Sequence, residues 1–340
     1  MDRLVTVAGQ EGTFPVAPDR SVLEAALRAN RWLPHACSQG TCGTCKIRVL
    51  CGEVDHGPAD ETILSACERD SGIALACQSK PLCDLTISPL NDAGSDRPLR
   101  PLRDYAGTVR ELADIARGTR RLVIELDEPM EFDAGQYAEL IVPSCGVARQ
   151  YSMANPPSES RMLEFHVRLT EGGIATEGWI FNSLTVGDPV FLRGPLGQFG
   201  VVEAHPEPAI LIGGGTGLAP LKSIVRHALD NDLLPAVRLY HGGRRSVDLY
   251  DVEYFRALEV SDPRFSYRPV LSEETWSGAM GMVTDAVVDD YPSCRGYRAY
   301  LCGPPAMVTA AVKALKRRRM APKAIAKEEF TVTPVAVVRV

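Results

Sequence analysis

Cys37, Cys42 and Cys45 fall within one short run, Cys37-Ser38-Gln39-Gly40-Thr41-Cys42-Gly43-Thr44-Cys45, and Cys77 follows at a distance. Cysteines spaced C-x4-C-x2-C with a remote fourth are the plant-type iron-sulfur pattern, in which four thiolates converge on two irons. The small residues and glycines between them let the backbone wrap closely and aim N–H groups at the sulfurs. The chemistry is one-electron transfer through a 2Fe-2S cluster held by Cys37, Cys42, Cys45 and Cys77. Two other readings compete: a structural zinc, which favours a C-x2-C pair in each half, and four unrelated buried thiols. Cys51, Cys67, Cys83, Cys145 and Cys294 fit no ligand spacing and read as small core or surface residues.

Four further stretches carry chemistry. In Arg149-Gln150-Tyr151-Ser152 a guanidinium fork suits phosphate oxygens, an aromatic ring suits stacking on a planar ring, and a hydroxyl suits a polar ring atom. The bland alternative is a surface arginine beside a core tyrosine. Gly172-Gly173-Ile174-Ala175-Thr176 reads as a glycine turn at a helix start, an anion site. Gly213-Gly214-Gly215-Thr216-Gly217-Leu218-Ala219-Pro220 follows a buried apolar run and opens a helix, where glycines let a pyrophosphate approach; a purely structural turn is the alternative. Cys302-Gly303-Pro304-Pro305 ends a later strand and opens another helix.

In this order the stretches resemble the reductase components of bacterial multicomponent oxygenases, a plant-type ferredoxin fused to a ferredoxin-NADP reductase-like flavoprotein. Arg149, Tyr151 and Ser152 are similar to that family's R-x-Y-S signature, Gly135-Gln136-Tyr137 to its GQY turn, and the Gly172 turn to its second diphosphate loop. The resemblance implies FAD at Tyr137, Arg149, Gln150, Tyr151, Ser152, His166, Val167, Arg168, Gly173, Ala175, Thr176 and Phe330. It implies NAD at Gly214, Gly215, Thr216, Gly217, Leu218, Arg244, Asp248, Cys302, Gly303 and Pro304. Ser152, Cys302 and Glu328 are then the polar surround of hydride transfer, with Phe330 over the flavin. The family usually ends near that aromatic, whereas here a tail, Thr331 to Val340, continues. Tyr240-His241-Gly242-Gly243-Arg244-Arg245, then Asp248-Leu249-Tyr250, resembles the NADH-using members, although two arginines also suit a 2'-phosphate.

Cofactor chemistry sets the order of transfer: a nicotinamide gives an electron pair, a cluster takes one, and a flavin divides the pair. The implied path is NADH to FAD to 2Fe-2S to an outside protein, the hydroxylase component of a terminal oxygenase. Leu33-Pro34-His35-Ala36-Cys37, Gly52-Glu53-Val54 and Ala154-Asn155-Pro156-Pro157 resemble reductases of phenol and toluene hydroxylases, whose partner is a di-iron aromatic or hydrocarbon monooxygenase. Gly194-Pro195-Leu196-Gly197 and Arg298-Ala299-Tyr300-Leu301-Cys302 resemble reductases that feed Rieske ring-hydroxylating dioxygenases. A deoxysugar dehydratase reductase shares the architecture. A non-enzymatic redox sensor is the reading from another class.

The expected fold is multi-domain, α+β and α/β, of 340 residues. Residues 1–92 read as a β-grasp 2Fe-2S ferredoxin domain, with a hairpin at Leu4 to Ala8 and Thr13 to Ala17 and a helix opened by the capping box Ser21-x-x-Glu24. The polar, proline-containing stretch 93–103 reads as a linker. Residues 104–204 read as an antiparallel β-barrel that binds FAD, because short alternating segments are divided by glycine and proline turns. Residues 205–340 alternate strand and helix, which predicts a parallel-sheet α/β domain that binds NAD. Hydrophobic content of 45% and charged content of 24% describe a soluble globular chain, and a net charge of -6 gives no reason to expect nucleic acid or a membrane surface. Met1 leads straight into strand-like residues without a signal peptide, so the cytoplasm is the expected location and the ten cysteines read as metal ligands or buried thiols rather than disulfides. A monomer is expected.

Overall fold

The computed structural model describes residues 1–91 and 99–331; part of the expected linker and all but the first residue of the tail lie outside these. The chain divides into two compact units, Met1–Asp104 with Gly194–Gln198, and Tyr105–Arg193 with Phe199–Val340.

The first unit is built on β1 (Arg3–Val7), β2 (Thr13–Val16), α1 (Val22–Arg28), β3 (Lys46–Cys51), β4 (Val54–Asp55), α2 (Ala66–Asp70), β5 (Ile73–Leu75), β6 (Lys80–Pro81) and β7 (Leu85–Pro89). Its main sheet runs β2-β1-β7-β3-β5, with β1 and β7 parallel at the centre. Alternation puts Val5, Val7, Ile47 and Ile87 on one face of the sheet, and these residues are buried, as are Leu23, Ala26 and Leu27 of α1. Ser21 caps α1 by accepting from the Glu24 N–H, but the reciprocal half of the box is absent because Glu24 pairs with Arg28 instead. The cluster loop hangs between α1 and β3, and Cys77 follows β5, so both ends of the ligand set are tied to the sheet.

The second unit holds β8 (Arg103–Ala116), β9 (Thr119–Leu126), β10 (Tyr137–Ile141), β11 (Ala148–Ser152), β12 (Met162–Arg168) and β13 (Pro189–Leu196). These run in the order β11-β10-β13-β8-β9-β12. Met153 bridges Phe165 across the two outer strands and closes the sheet into a barrel. Val109, Leu122, Ile124, Leu140, Phe165 and Leu192 fill it.

The same unit continues with β14 (Ala209–Gly214), α3 (Leu218–Asp230), β15 (Val237–Gly243), α4 (Val252–Ser261), β16 (Phe265–Leu271), β17 (Ala279–Met280), α5 (Val283–Asp290), β18 (Arg298–Gly303), α6 (Pro305–Arg317) and β19 (Ile325–Glu329). All paired strands are parallel, in the order β17-β16-β15-β14-β18-β19. Both faces are covered, which explains why β14 is buried throughout rather than alternating. Leu211 faces α3 and α4 with Leu221, Val225 and Phe255, whereas Ile210 and Ile212 face α5 and α6 with Val287, Val308 and Leu315.

Candidate functional site

The loop after Cys37 can be drawn only with left-handed residues: Ser38, Gly40 and Gly43 have φ of 48°, 81° and 74°. A Cβ on Gly40 would come 2.9 Å from Gln78 Cγ, next to the last cysteine. The sulfurs stand as two pairs. Cys45 and Cys77 are buried with their sulfurs 3.2 Å apart, while the Cys42 thiol, exposed, donates to the half-buried Cys37. Backbone N–H groups of Gln39 and Thr41 point at the Cys37 sulfur, each at 3.4 Å, and that of Thr44 at Cys42 at 3.5 Å.

The hydrogen bond from Cys42 pulls the Cys37 thiol down to about 4, and the same bond holds Cys42 above its ordinary value. Cys45 is lowered and Cys77 raised in the same way. One zinc would gather all four sulfurs at about 2.3 Å from a single point. Among the described residues, the set of three ligand atoms within 4.8 Å of one another is not made of thiols. Two pairs, one for each iron, fit a 2Fe-2S cluster, with its sulfurs already facing backbone donors.

On β11 the register sets Tyr137 against Ser152, Ala138 against Tyr151 and Leu140 against Arg149. Arg149 and Tyr151, two apart on a strand, share a face, and the guanidinium bears on the Tyr151 hydroxyl, which burial raises above its ordinary value. Tyr137 and Ser152 are buried. Gln150 points the other way and donates to Glu139 at 3.1 Å. In the glycine turn, a Cβ on Gly173 would come 2.9 Å from the Thr170 carbonyl, and Thr176 Oγ1 donates to that carbonyl at 3.0 Å. The turn leads into a five-residue π-helical segment, Thr176–Ile180, in place of the regular helix expected. The Gly172 N–H takes an anionic oxygen, that of Glu177 at 2.6 Å, so the chemistry of the turn suits a diphosphate. Ala175 and Val167 are buried in the barrel core. Arg168 donates to the Arg117 carbonyl at 2.8 Å.

The sheet order makes β14 the first strand and gives it β15 on one side and β18 on the other. This is the switch point of an open parallel sheet, where loops leave in opposite directions and a crevice forms at the carboxyl ends. Gly213 to Leu218 leave β14 there, and Cys302, Gly303 and Pro304 leave β18. The two loops are packed backbone to backbone. A Cβ on Gly303 would come 2.8 Å from the Gly214 carbonyl, one on Gly214 would come 2.7 Å from Met307 Sδ, and one on Gly217 would overlap the carbonyl oxygen of Cys302. Glycines therefore carve a cradle that side chains would fill, with Gly215 exposed and Thr216 half-buried at its lip.

Cys302 is fully buried, and burial with the neighbouring Glu328 carboxylate raises its thiol well above the ordinary value. Glu328 stands beside it in register on β19, and the Phe330 N–H donates to the Gly303 carbonyl at 2.9 Å. Cys302, Glu328 and Phe330 are thus brought together; Ser152 lies on the barrel strand β11. At the far end of the crevice Arg244 and Arg245 are mainly exposed and face Glu273 at 3.6 and 3.9 Å. Asp248 takes the Arg117 guanidinium at 2.8 Å.

Sequence reasoning missed a group of buried charges on the same unit. Lys222 of α3, 9% exposed at its side chain, places its ammonium 2.9 Å from Glu164 on β12 and 2.8 Å from Asp251. Arg121 reaches the same two carboxylates, and His166 Nε2 meets Glu164 at 2.8 Å. Burial pushes the Glu164 carboxyl up, but His166 and Lys222 outweigh it and leave it well below the usual range. Burial holds the His166 imidazole below its ordinary value. The one signal in the sequence was a lysine on the apolar face of an amphipathic helix, among Leu218, Leu221, Ile224 and Val225.

Paired thiols on one sheet, an aromatic and arginine strand on a barrel, and a glycine cradle at a switch point define an iron-sulfur flavoprotein oxidoreductase with a nucleotide domain. Comparison with known proteins agrees part by part. Residues 5–82 match the 2Fe-2S iron-sulfur cluster binding domain, 106–200 the oxidoreductase FAD-binding domain and 211–313 the oxidoreductase NAD-binding domain. The chain is 53% identical over 320 residues to the reductase subunit of an aromatic O-demethylase from Amycolatopsis sp., covering 92% of this chain and 95% of that one. It is 41% identical over 331 residues to the reductase component of phenol 2-monooxygenase from Pseudomonas sp., covering 96% and 94%. Among solved structures, an Amycolatopsis cytochrome P450 reductase matches with a TM-score of 0.91 at 51% identity, covering 97% of this chain and 99% of that one. A ferredoxin reductase in carbazole 1,9a-dioxygenase matches with a TM-score of 0.82 at 27% identity, covering 97% and 99%. The chain belongs to the family of reductase components of multicomponent oxygenases, and its cofactors are a 2Fe-2S cluster, FAD and a nicotinamide nucleotide.

Proposed function

We propose that this reductase takes electrons from NADH and delivers them, through FAD and the cluster, to the hydroxylase component of a terminal aromatic oxygenase. The observation that carries the reading is the packing of Gly217 against Cys302, which opens a nucleotide cradle at the switch point of the same compact unit that holds the Arg149 strand. FAD held there would supply the conversion of a hydride's electron pair into single electrons.

Arg149 would hold the FAD diphosphate with Gly173, Ala175 and Thr176 of the glycine turn, and Tyr137 and Tyr151 would pack against its ring. Gln150, His166, Val167 and Arg168 have side chains committed to protein, so they serve through backbone groups. Ser152, Cys302 and Glu328 form the polar wall where the nicotinamide sits, with Phe330 alongside. Glu273 facing both arginines supports NADH over NADPH, since a 2'-phosphate would compete with a carboxylate for Arg244 and Arg245. Asp248, locked by Arg117, shapes the turn that receives the ribose.

The residue stretches near Cys37 and Asn155 favour a di-iron monooxygenase as acceptor, and a Rieske dioxygenase is the alternative they leave open. A cytochrome P450 is a second reading, favoured by 51% identity to the Amycolatopsis cytochrome P450 reductase. No helix among the described residues is long and apolar enough to cross a membrane. A cytoplasmic monomer is part of the proposal.

The test uses purified protein reconstituted with FAD, iron and sulfide. NADH is expected to drive cytochrome c reduction with kcat/KM at least about tenfold above that with NADPH. Failure to reduce any acceptor would favour a redox sensor that binds nucleotide without turnover. Supplying di-iron, Rieske and P450 oxygenases in turn, and measuring coupled substrate oxidation, identifies the acceptor.

A further inference from the structure

Barrel strand β12 and the nucleotide loop are joined by a chain of hydrogen bonds through one tyrosine. The Tyr250 hydroxyl lies 3.1 Å from the Gly215 carbonyl and 3.2 Å from His166 Nδ1, and the two rings meet edge-on at 86°. On its other side His166 Nε2 faces Glu164 at 2.8 Å. A carboxylate only accepts, so Nε2 carries the hydrogen and Nδ1 of the neutral imidazole accepts. Tyr250 then has one proton between two acceptors, one on the barrel and one on the loop.

Glu164, His166 and Asp251 have the spacing of a cation cage, but the Lys222 ammonium already stands between the two carboxylates. Lys222, together with Arg121, is therefore the built-in cation, and the pair hold Glu164 in place for His166. Lys222 also ties α3, the helix that the loop opens, to the barrel. The next residue, Ser223, adds a second tie by donating to the Asn155 carbonyl at 2.7 Å. Gly215 itself is exposed and left-handed, with φ of 57°, so its own packing does little to fix it.

We propose that Tyr250 and His166, braced by Glu164, Lys222 and Asp251, are positioning residues that fix the Gly213–Gly217 loop against barrel strand β12 and so set the approach of the nicotinamide to the flavin. This rests on reading that loop as the nucleotide pyrophosphate site. Without the lock, nucleotide still binds, but fewer bound molecules sit within reacting distance.

The experiment compares wild type with Tyr250→Phe, which removes one oxygen, in the full chain loaded with FAD and cluster. Rapid mixing with NADH is expected to show a limiting rate of flavin reduction about tenfold lower, with the dissociation constant changed less than about twofold. Amide exchange without nucleotide is expected to quicken at residues 213–218 and to stay unchanged in β15 and β16. Lys222→Met is expected to reproduce the exchange change even if its flavin site is impaired. Unchanged exchange at the loop in both variants would overturn the lock. If wild-type flavin is not reduced by NADH at all, the nucleotide reading fails, and the exchange result still decides the lock.

Discussion

Gly217 lies against Cys302 so closely that the carbonyl oxygen of the cysteine occupies the space a side chain on the glycine would need. The contact joins the loop after β14 to the loop after β18, and it leaves no slack for a methyl group. Gly217→Ala is expected to part the loops and raise the KM for NADH about tenfold or more, in keeping with overpacking costs of about 1–3 kcal/mol. FAD content and the visible cluster spectrum should persist. A KM within twofold of wild type would show that the crevice tolerates the strain.

Cys42→Ser removes one proposed ligand, from the more exposed thiol pair. Cytochrome c reduction is expected to disappear, while ferricyanide reduction, which flavin alone supports, continues. Loss of both activities would mean that the cluster also holds the remainder of the protein together.

Arg149→Ala is expected to yield protein with its iron and acid-labile sulfide intact but with little FAD. Removing a charge-assisted bond worth about 1.5–3 kcal/mol weakens the cofactor about ten- to a hundredfold. Full occupancy by absorbance after gel filtration would take Arg149 out of that role.

Stability of the second unit is expected to fall on acidification. Burial holds His166 and His241 below their ordinary value, His241 at about 4. Unfolded imidazoles titrate near about 6.5, so below that pH the unfolded chain binds protons that the folded chain refuses. The contribution is complete above that value and is lost as pH drops through it, and the depressed Glu164 adds a further loss below its unfolded value. Thermal midpoints measured from pH 7 to pH 5 should decline, and His241→Gln should remove about one proton from the slope. An unchanged midpoint over this range would mean that these histidines are protonated in the fold.

Local signals were legible where a single stretch carries its own punctuation. Phe265–Leu271, Val283–Asp290 and Pro305–Arg317 follow the alternation of strand and helix expected of residues 205–340, the last aided by Pro305 at the first helical position. The four cysteines proposed as cluster ligands stood out because their spacing is itself the signal. By contrast α2, five residues with no buried side chain, leaves no period to detect, even though Ser65 and Glu68 form a full capping box. Lys222 stood out only by its place on the apolar face of α3, and its partners Glu164 and Asp251 lie 58 and 29 positions away. What fixes its role is a tertiary meeting, and the helix period marks the lysine as misplaced without naming its partners.

The order of strands has a consequence for shortened chains. Because β18 returns to the flank of β14 only after β15, β16 and β17 have been laid down on the other side, one wall of the nucleotide crevice is the last to be synthesised. A ribosome halted after Asp290 would release a protein carrying all four cluster thiols and the Arg149 strand. It would be stocked for every electron carrier and shut off from their source.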